Sequence, residues 1–317
     1  MWAVIKENYT HSRVSEPAGG WPLLTAGALL VAAALLLAAC SGATDQGQEP
    51  EGPRDIDQTA ELGQPGGLPT GEAQQASSGG QIWRPAPGTT WQWQLSGEPI
   101  DRSFDVDMFD IDLFESDAEL VAALKDRGRR VVCYLSAGSW EEFRPDADQF
   151  PASVIGKDYE GWSGEKWLDI GQIELLAPIM RSRLDQCAAK GFDGIEPDNI
   201  DGYQADSGFS LTYDDQLKYN IWLADEAHAR GLSIGLKNVP EQVEDLLTHF
   251  DWALTEDCFD QGWCGQLLPF INAGKAVFAA EYTDTGVDLD RACRQAKELK
   301  ISLIMKNREL DAARSGC

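Results

Sequence analysis

Ala229-Arg230-Gly231-Leu232-Ser233-Ile234-Gly235-Leu236-Lys237-Asn238 is the stretch from which the fold is read. A polar helix-forming run, Asp214–Arg230, stops at Gly231, and a mostly apolar run follows at once and ends on Lys237 and Asn238. Glycine just past a helix adopts the left-handed conformation that ends it, and the chain then passes straight into a strand. The same junction occurs twice more. Asp117–Arg127 stops at Gly128 before Arg130–Ser136, and Ile173–Lys190 stops at Gly191 before Gly194–Asp198. Other strand-like runs are Trp91–Leu95, Val106–Ile111, Ser233–Lys237, Trp252–Glu256, Ala276–Tyr282 and Ile301–Lys306, with helical runs at Glu241–Thr248 and Leu289–Lys300. Eight strands alternating with helices predict an α/β protein, a closed (β/α)8 TIM barrel over residues 81–317. The weakest link is the connection from Leu95 to Val106, which is too short for a full helix.

Upstream of the barrel the character changes. Lys6 and Arg13 precede an apolar run from Leu23 to Ala39 that ends in Leu37-Ala38-Ala39-Cys40-Ser41. The run is short for a membrane span and suits a signal h-region. Its end resembles the bacterial lipobox, which implies a signal peptide over 1–39, a lipid on Cys40 and an extracytoplasmic protein anchored to the bacterial cell membrane only through that lipid. Residues 40–80 are rich in Gly, Pro, Gln, Ser and Glu and are expected to form a disordered tether.

The chain carries 52 acidic against 26 basic residues, a net charge of −26. Loss of residues 1–39 removes two residues of each sign, so the acidity belongs to the exported part. Such a field disfavours nucleic acid and anionic surfaces and favours a cationic ligand, or simply solubility. Beyond Cys40, six cysteines remain, an even number that suggests disulfides in an exported chain. Spacing favours Cys258–Cys264, Cys293–Cys317 would tie down the C-terminus, and Cys133–Cys187 is then left. Only three histidines exist, none near a cysteine pair, and no phosphate-binding glycine loop is present, so neither metal nor cofactor is expected.

A barrel keeps its chemistry where strands end. Seven of the predicted strands end on polar or aromatic groups: Asp110 and Asp112, Tyr134 and Ser136, Asp198 and Asn199, Lys237 and Asn238, Glu256 and Asp257, Glu281 and Tyr282, Lys306 and Asn307. Glu196 and Asp198 share a strand face, and Pro197 between them interrupts ordinary ladder pairing. Glu256 shares a face with Leu254 and reaches the same mouth. Two carboxylates across a cleft suffice for glycoside hydrolysis, one ionised and one carrying the proton for the leaving oxygen. Lys237 is expected to hold Asp198 ionised, and Glu256 to have the raised pKa. The competing readings are a helix cap for Asp198 and a structural ion pair with Lys237 for Glu256.

These residues also carry a resemblance. Trp91-Gln92-Trp93-Gln94-Leu95, Asp107-Met108-Phe109-Asp110-Ile111-Asp112-Leu113, Cys133-Tyr134-Leu135-Ser136-Ala137-Gly138-Ser139-Trp140-Glu141, Gly191-Phe192-Asp193-Gly194-Ile195-Glu196-Pro197-Asp198-Asn199, Gly235-Leu236-Lys237-Asn238, Glu256-Asp257-Cys258-Phe259 and Glu281-Tyr282 follow in order over some 200 residues. Residues 83 to about 282 resemble the glycoside hydrolase family 114 domain, the endo-α-1,4-polygalactosaminidase family. The resemblance implies a barrel fold, a retaining endo-acting glycosidase that cuts α-1,4-linked galactosamine-containing exopolysaccharide, and Asp198 and Glu256 as its catalytic pair. Around them, Asp110, Asp112, Tyr134, Trp140, Glu196, Asn199, Lys237, Asn238, Glu281 and Tyr282 are expected to bind substrate, the acids taking the ammonium groups of a cationic amino-sugar polymer. A hydrolase of another α-linked glycan and a non-catalytic surface sugar-binding lipoprotein remain as alternatives, and a monomer is expected.

Overall fold

In the computed structural model, residues 82–317 are described. The signal peptide, Cys40 and the tether all lie outside that range. Each predicted strand has a counterpart: β1 (Trp91–Gln94), β2 (Met108–Asp112), β3 (Arg130–Ser136), β7 (Gly194–Asp198), β8 (Ser233–Lys237), β9 (Trp252–Glu256), β10 (Val277–Tyr282) and β11 (Ser302–Lys306). They pair in parallel in the order β1-β2-β3-β7-β8-β9-β10-β11.

Helices α1 (Ala118–Lys125), α2 (Ile173–Lys190), α3 (Tyr213–Ala229), α4 (Val243–Leu246) and α7 (Leu289–Leu299) fall in the predicted connections, and the short α5 (Cys258–Gln261) and α6 (Leu268–Asn272) fill the β9–β10 connection. Gly191 has φ +88° at the end of α2, where Phe192 N–H reaches back to the Cys187 carbonyl at 3.2 Å. The left-handed turn satisfies the last carbonyls and points the chain into β7. At the other end of its own unit, α3 begins with a capping box between Thr212 and Asp215.

The curled sheet separates two apolar clusters. Outside, Val131, Cys133, Ile195, Ile234 and Ala279 pack against the helices. Inside, Trp91, Trp93, Met108, Trp252, Phe278 and Ile304 fill the floor. Gly235 makes room for one of them, since a Cβ there would lie 2.3 Å from the Trp252 ring. The curl brings Trp91 of β1 to 5.1 Å from Phe278 of β10, between ring centroids.

Two features depart from the predicted barrel. First, among the described residues no ladder joins β1 to β11. The edge of β11 is taken by the antiparallel β12 (Ser315–Gly316), and the chain before β12 lies along β1, its Leu310 carbonyl accepting Leu95 and Ser96 N–H and its Ala312 carbonyl accepting Gln92 Nε2. The fold is thus a curled, parallel-rich nine-stranded sheet whose seam is filled by the C-terminus. The Cys293–Cys317 pair, with Cα atoms 5.5 Å apart, holds that segment to α7. Cys133–Cys187 and Cys258–Cys264 form the other two bonded pairs. Second, a three-stranded antiparallel sheet of β4 (Ser139–Glu141), β6 (Glu165–Leu168) and β5 (Ile155–Asp158) is inserted between β3 and α2. It stands over the strand ends that hold the site.

Candidate functional site

Strands β7, β8 and β9 leave the sheet in the same way. Asn199, Asn238 and Asp257, the residues just after Asp198, Lys237 and Glu256, have φ of 62°, 52° and 54°. Asn and Asp tolerate this left-handed region better than other side-chain-bearing residues, and strained backbone of this kind concentrates at functional sites. Each turn leaves the preceding side chain pointing into the mouth.

Lys237 is at the centre, 1% exposed, with its ammonium 4.9 Å above the Trp93 ring. Nζ lies 2.9 Å from Glu196 Oε1, 2.9 Å from Asp198 Oδ1 and 3.2 Å from Glu256 Oε2. Burial alone would lower its pKa, but the charges of Asp198, Glu196 and Glu256 outweigh burial and keep it protonated. Both predicted acids therefore meet on one cation. Tyr134 donates to Asp198 Oδ2 at 2.9 Å, and Asn199 N–H donates to Asp198 Oδ1 at 2.9 Å. Tyr282 donates to Glu256 Oε1, Asn238 Nδ2 donates to Glu256 Oε2 at 2.9 Å, and Asn238 Oδ1 accepts the Glu256 N–H. The β7–β8 ladder ends at Ile195, before Pro197, while β3 stays paired to Asp198. The parting of β7 from β8 gives the Lys237 side chain its place between them.

Exposure sorts these carboxyls. Glu196 is 0% exposed, Asp198 19% and Glu256 25%. Asp110 is wholly buried below them. Only Asp198 and Glu256 of the four reach solvent.

Several predicted contacts take other roles. Glu256 does not have a raised pKa. Burial pushes it up, but the Lys237 charge and the hydrogen bonds from Tyr282, Asn238 and Lys237 prevail and hold it below the usual carboxylate range. Glu281 does not face the mouth. It lies on the outer face of β10 and accepts Phe259 N–H at 2.7 Å and Asp260 N–H at 3.2 Å, anchoring α5. Asp112 is taken by Arg144 at 2.7 Å and by the Phe114 and Glu115 N–H groups. The Asn199 amide donates to Ser136 and Ser139, and Trp140 Nε1 donates to the Ala147 carbonyl, half-buried against the core. Asp110 and Glu196 are too deep to touch a sugar. Tyr134 and Tyr282 offer their hydroxyls to the acids rather than ring faces to solvent, and Arg308 covers the Tyr282 ring at 3.7 Å.

Of the inserted sheet, sequence reasoning named only Trp140 and Trp167, as stacking surfaces, and missed its titratable groups. Burial and then Glu141 and Asp198 raise the Glu165 pKa to about 8. Burial and then Asp198 raise that of Asp201, in the loop after β7, to about 7. Burial, with Asp198, Asp201 and Glu256, raises that of Tyr159. At the tip of the same insert Trp162 is 42% exposed. No strand or helix period marks these residues as belonging to the mouth.

The raised acids predict a stability profile. Glu165 at about 8, and Glu196, Asp201 and Glu281 at about 7, all lie above the unfolded carboxylate values. The folded chain thus holds more protons than the unfolded chain between about pH 4 and pH 8, so stability falls as pH rises through that window. The carboxylates with lowered pKa, Glu226 and Asp251 among them, withdraw stability only at more acid pH. Tm should be higher at pH 5.5 than at pH 8, by on the order of 5 °C. Thermal melts at the two values check this, and an equal or higher Tm at pH 8 contradicts it.

Comparison with known proteins bears on the chemistry. The model of glycoside-hydrolase family GH114 matches residues 72–317. The crystal structure of Aspergillus fumigatus Ega3 in complex with galactosamine is 39% identical, with a TM-score of 0.71 over 75% of this chain and 98% of that one. The glycoside hydrolase domain of PelA from Pseudomonas aeruginosa shares the fold at 15% identity, with a TM-score of 0.56 over 72% of this chain and 98% of that domain. A Deinococcus radiodurans protein is 24% identical over 231 residues, 63% of this chain and 73% of its own. With the family pattern matched across the whole described region and a solved relative at this identity, the chain belongs to glycoside-hydrolase family GH114.

Proposed function

We propose that this glycosidase is an endo-acting enzyme that cleaves α-1,4-linked galactosamine-containing exopolysaccharide, with Asp198 and Glu256 as its reacting carboxylates on a scaffold of the (β/α)8 kind. The observation that carries the reading is the selective exposure of these two acids. Three carboxyls touch Lys237 and a fourth, Asp110, is buried below them, and of these four only Asp198 and Glu256 are open to a substrate.

Retention is proposed from the resemblance to the family, and the two acids are close enough to share one cation. Their oxygens lie 2.9 and 3.2 Å from one nitrogen, so the two oxygens are no farther apart than the sum of those distances. A retaining course runs through a covalent glycosyl-enzyme intermediate. Glu256 is ionised in the empty site, which suits attack or, after protonation on substrate binding, acid–base work. With an activated α-glycoside, azide should give the inverted β-glycosyl azide from whichever of Asp198→Ala and Glu256→Ala lacks the nucleophile, and the retained α-glycosyl azide from the variant that lacks the acid–base residue.

The preference for amino sugars rests on charge. Net charge is −26, and near Asp198 burial and neighbouring acids raise the pKa of Glu165 to about 8 and that of Asp201 to about 7, so each stays partly protonated near neutral pH, Glu165 the more. An incoming ammonium would favour their ionised forms and so bind more strongly than a neutral acetamido group. Trp162 supplies an exposed flat face for a distal sugar. Ega3 was crystallised with galactosamine, which supports the same class of sugar here. We further propose export and lipid anchoring at Cys40, from its place after the apolar run; metabolic labelling with a fatty acid, with Cys40→Ala as control, tests it.

Reducing-end release from galactosaminogalactan before and after chemical deacetylation tests the activity. The expected result is at least about tenfold faster release from the deacetylated polymer, as loss of charge-paired contacts costs more than about 1.4 kcal/mol. NMR of the first-formed product should show the α-anomer. Binding without new reducing ends would instead leave a sugar-binding protein.

A further inference from the structure

Two buried carboxyls at this site have no part in the two-carboxylate chemistry. Asp110 points inward from β2, wholly buried, and among the described residues neither of its oxygens meets an N–H or O–H donor. Glu196 points inward from β7, also wholly buried. Its Oε1 accepts from Lys237 at 2.9 Å, and its Oε2 meets no such donor. The two carboxyls lie within hydrogen-bonding reach of each other. Two ionised carboxylates have no proton to place between them, and an unpaired buried anion costs several kcal/mol. One proton shared between them joins an oxygen of Asp110 to an oxygen of Glu196, engages two of the three orphaned oxygens and removes one of the two buried charges.

We propose that Asp110 is a positioning residue for the reaction: it keeps a proton, donates it in a hydrogen bond to Glu196, and so holds Glu196 on Lys237 and Lys237 between Asp198 and Glu256. This rests on the reading of Asp198 and Glu256 as the reacting pair. Charge decides which acid carries the proton. Lys237 touches Glu196, Asp198 and Glu256 directly, so one positive charge already faces three carboxyls. Burial and then Glu196 push Asp110 well above the carboxylate range, whereas Lys237 opposes burial at Glu196 and limits its rise to about 7.

The groups facing the pair from the packed elements are few. β1 contributes Trp93, whose buried indole N–H has no acceptor among the described residues, β3 contributes Val132 and Tyr134, and β7 contributes Asp198. From farther around the mouth come Lys237 of β8, Glu256 of β9 and Tyr282 of β10. Lys306 of β11 gives its ammonium to the Asp311 carbonyl. No histidine is among them. When rising pH removes the shared proton, a second full negative charge forms below Lys237 and pulls the ammonium down, away from Asp198 and Glu256. The alkaline limb of kcat is therefore assigned to the Asp110–Glu196 pair.

The experiment compares the full chain with Asp110→Asn, which keeps a permanent N–H donor, and Asp110→Leu, which has none. Asp110→Leu should lower kcat at least about tenfold with KM changed less than about threefold, and Asp110→Asn should recover most of that loss. The alkaline limb of Asp110→Asn should lie at least about one pH unit above that of the wild type, because an amide has no proton to lose there. The infrared difference between wild type and Asp110→Asn, both folded and without substrate at pH 7, should show the carbonyl band of one protonated carboxyl, over and above the bands of Glu165 and the other raised acids that both proteins share. Equal kcat in the two variants, an alkaline limb of Asp110→Asn that coincides with that of the wild type, or no such band in the difference spectrum overturns the proposal. If Asp110→Leu does not fold, the pH limb and infrared band of Asp110→Asn still decide. A wild type inactive on every polymer would defeat the hydrolase assignment, while the infrared band would still report the proton.

Discussion

Asp198→Asn should lower kcat by at least about 10³-fold while leaving the fold intact, the scale seen when a nucleophile or acid–base partner is removed. The amide is isosteric, so Tyr134, Asn199 and Lys237 still surround it. It offers no negative charge and has no proton to transfer. Loss of a negative charge next to Lys237 also leaves more of the ammonium's attraction to Glu196 and Glu256, so stability should fall little. Glu256→Gln should show a comparable loss. The circular dichroism spectrum and Tm of each variant separate chemistry from folding. An Asp198→Asn protein that turns over at more than about one-tenth of the wild-type rate would remove Asp198 from the mechanism.

Lys237→Met should have the largest effect on stability. The thioether fills part of the space over Trp93, but three carboxyls then face one another without a cation. Removing one partner from a buried ion pair costs about 3–5 kcal/mol. For a domain of this size that is on the order of 10 °C in Tm at neutral pH. The sign with pH follows from Glu256. Its pKa is depressed in the folded state, so it contributes stability above its unfolded pKa and loses that contribution as pH falls through the folded one. Without Lys237 that contribution is gone at neutral pH. The gap between variant and wild type should therefore be widest at pH 7–8 and shrink below about pH 4.5, as the carboxyls left without a cation in the variant take up protons. Melts of both proteins from pH 4 to pH 8 check this. A constant gap would mean that packing, not charge, dominates at Lys237.

The strands and the larger helices were legible because their signals are local. A glycine such as Gly191 or Gly231 stops a helix whatever lies across the sheet, and the apolar runs after them had no other use than a buried strand. The mouth was legible for the same reason: alternation along β7 and β9 puts Glu196, Asp198 and Glu256 on one side. Alternation did not extend to Glu281, because Phe278, Ala280 and Tyr282 already line the inner face and the odd position turns outward to the loop after β9. Nor did it reveal the insert between β3 and α2. Short antiparallel strands in a polar segment carry too few residues for a period to stand out.

Sequence alone determined which residue types occupy the rim, since strand periodicity and helix stops depend only on neighbours in the chain. Tertiary structure decided what those residues do. Whether an acid is ionised, shielded or bound to a backbone amide depends on groups tens of residues away: Lys237 lowers the pKa of Glu256, Arg144 occupies Asp112, and the C-terminal segment, not a β1–β11 ladder, fills the seam. Electrostatic energy depends on distance in space and on burial, and neither can be read from order in the chain.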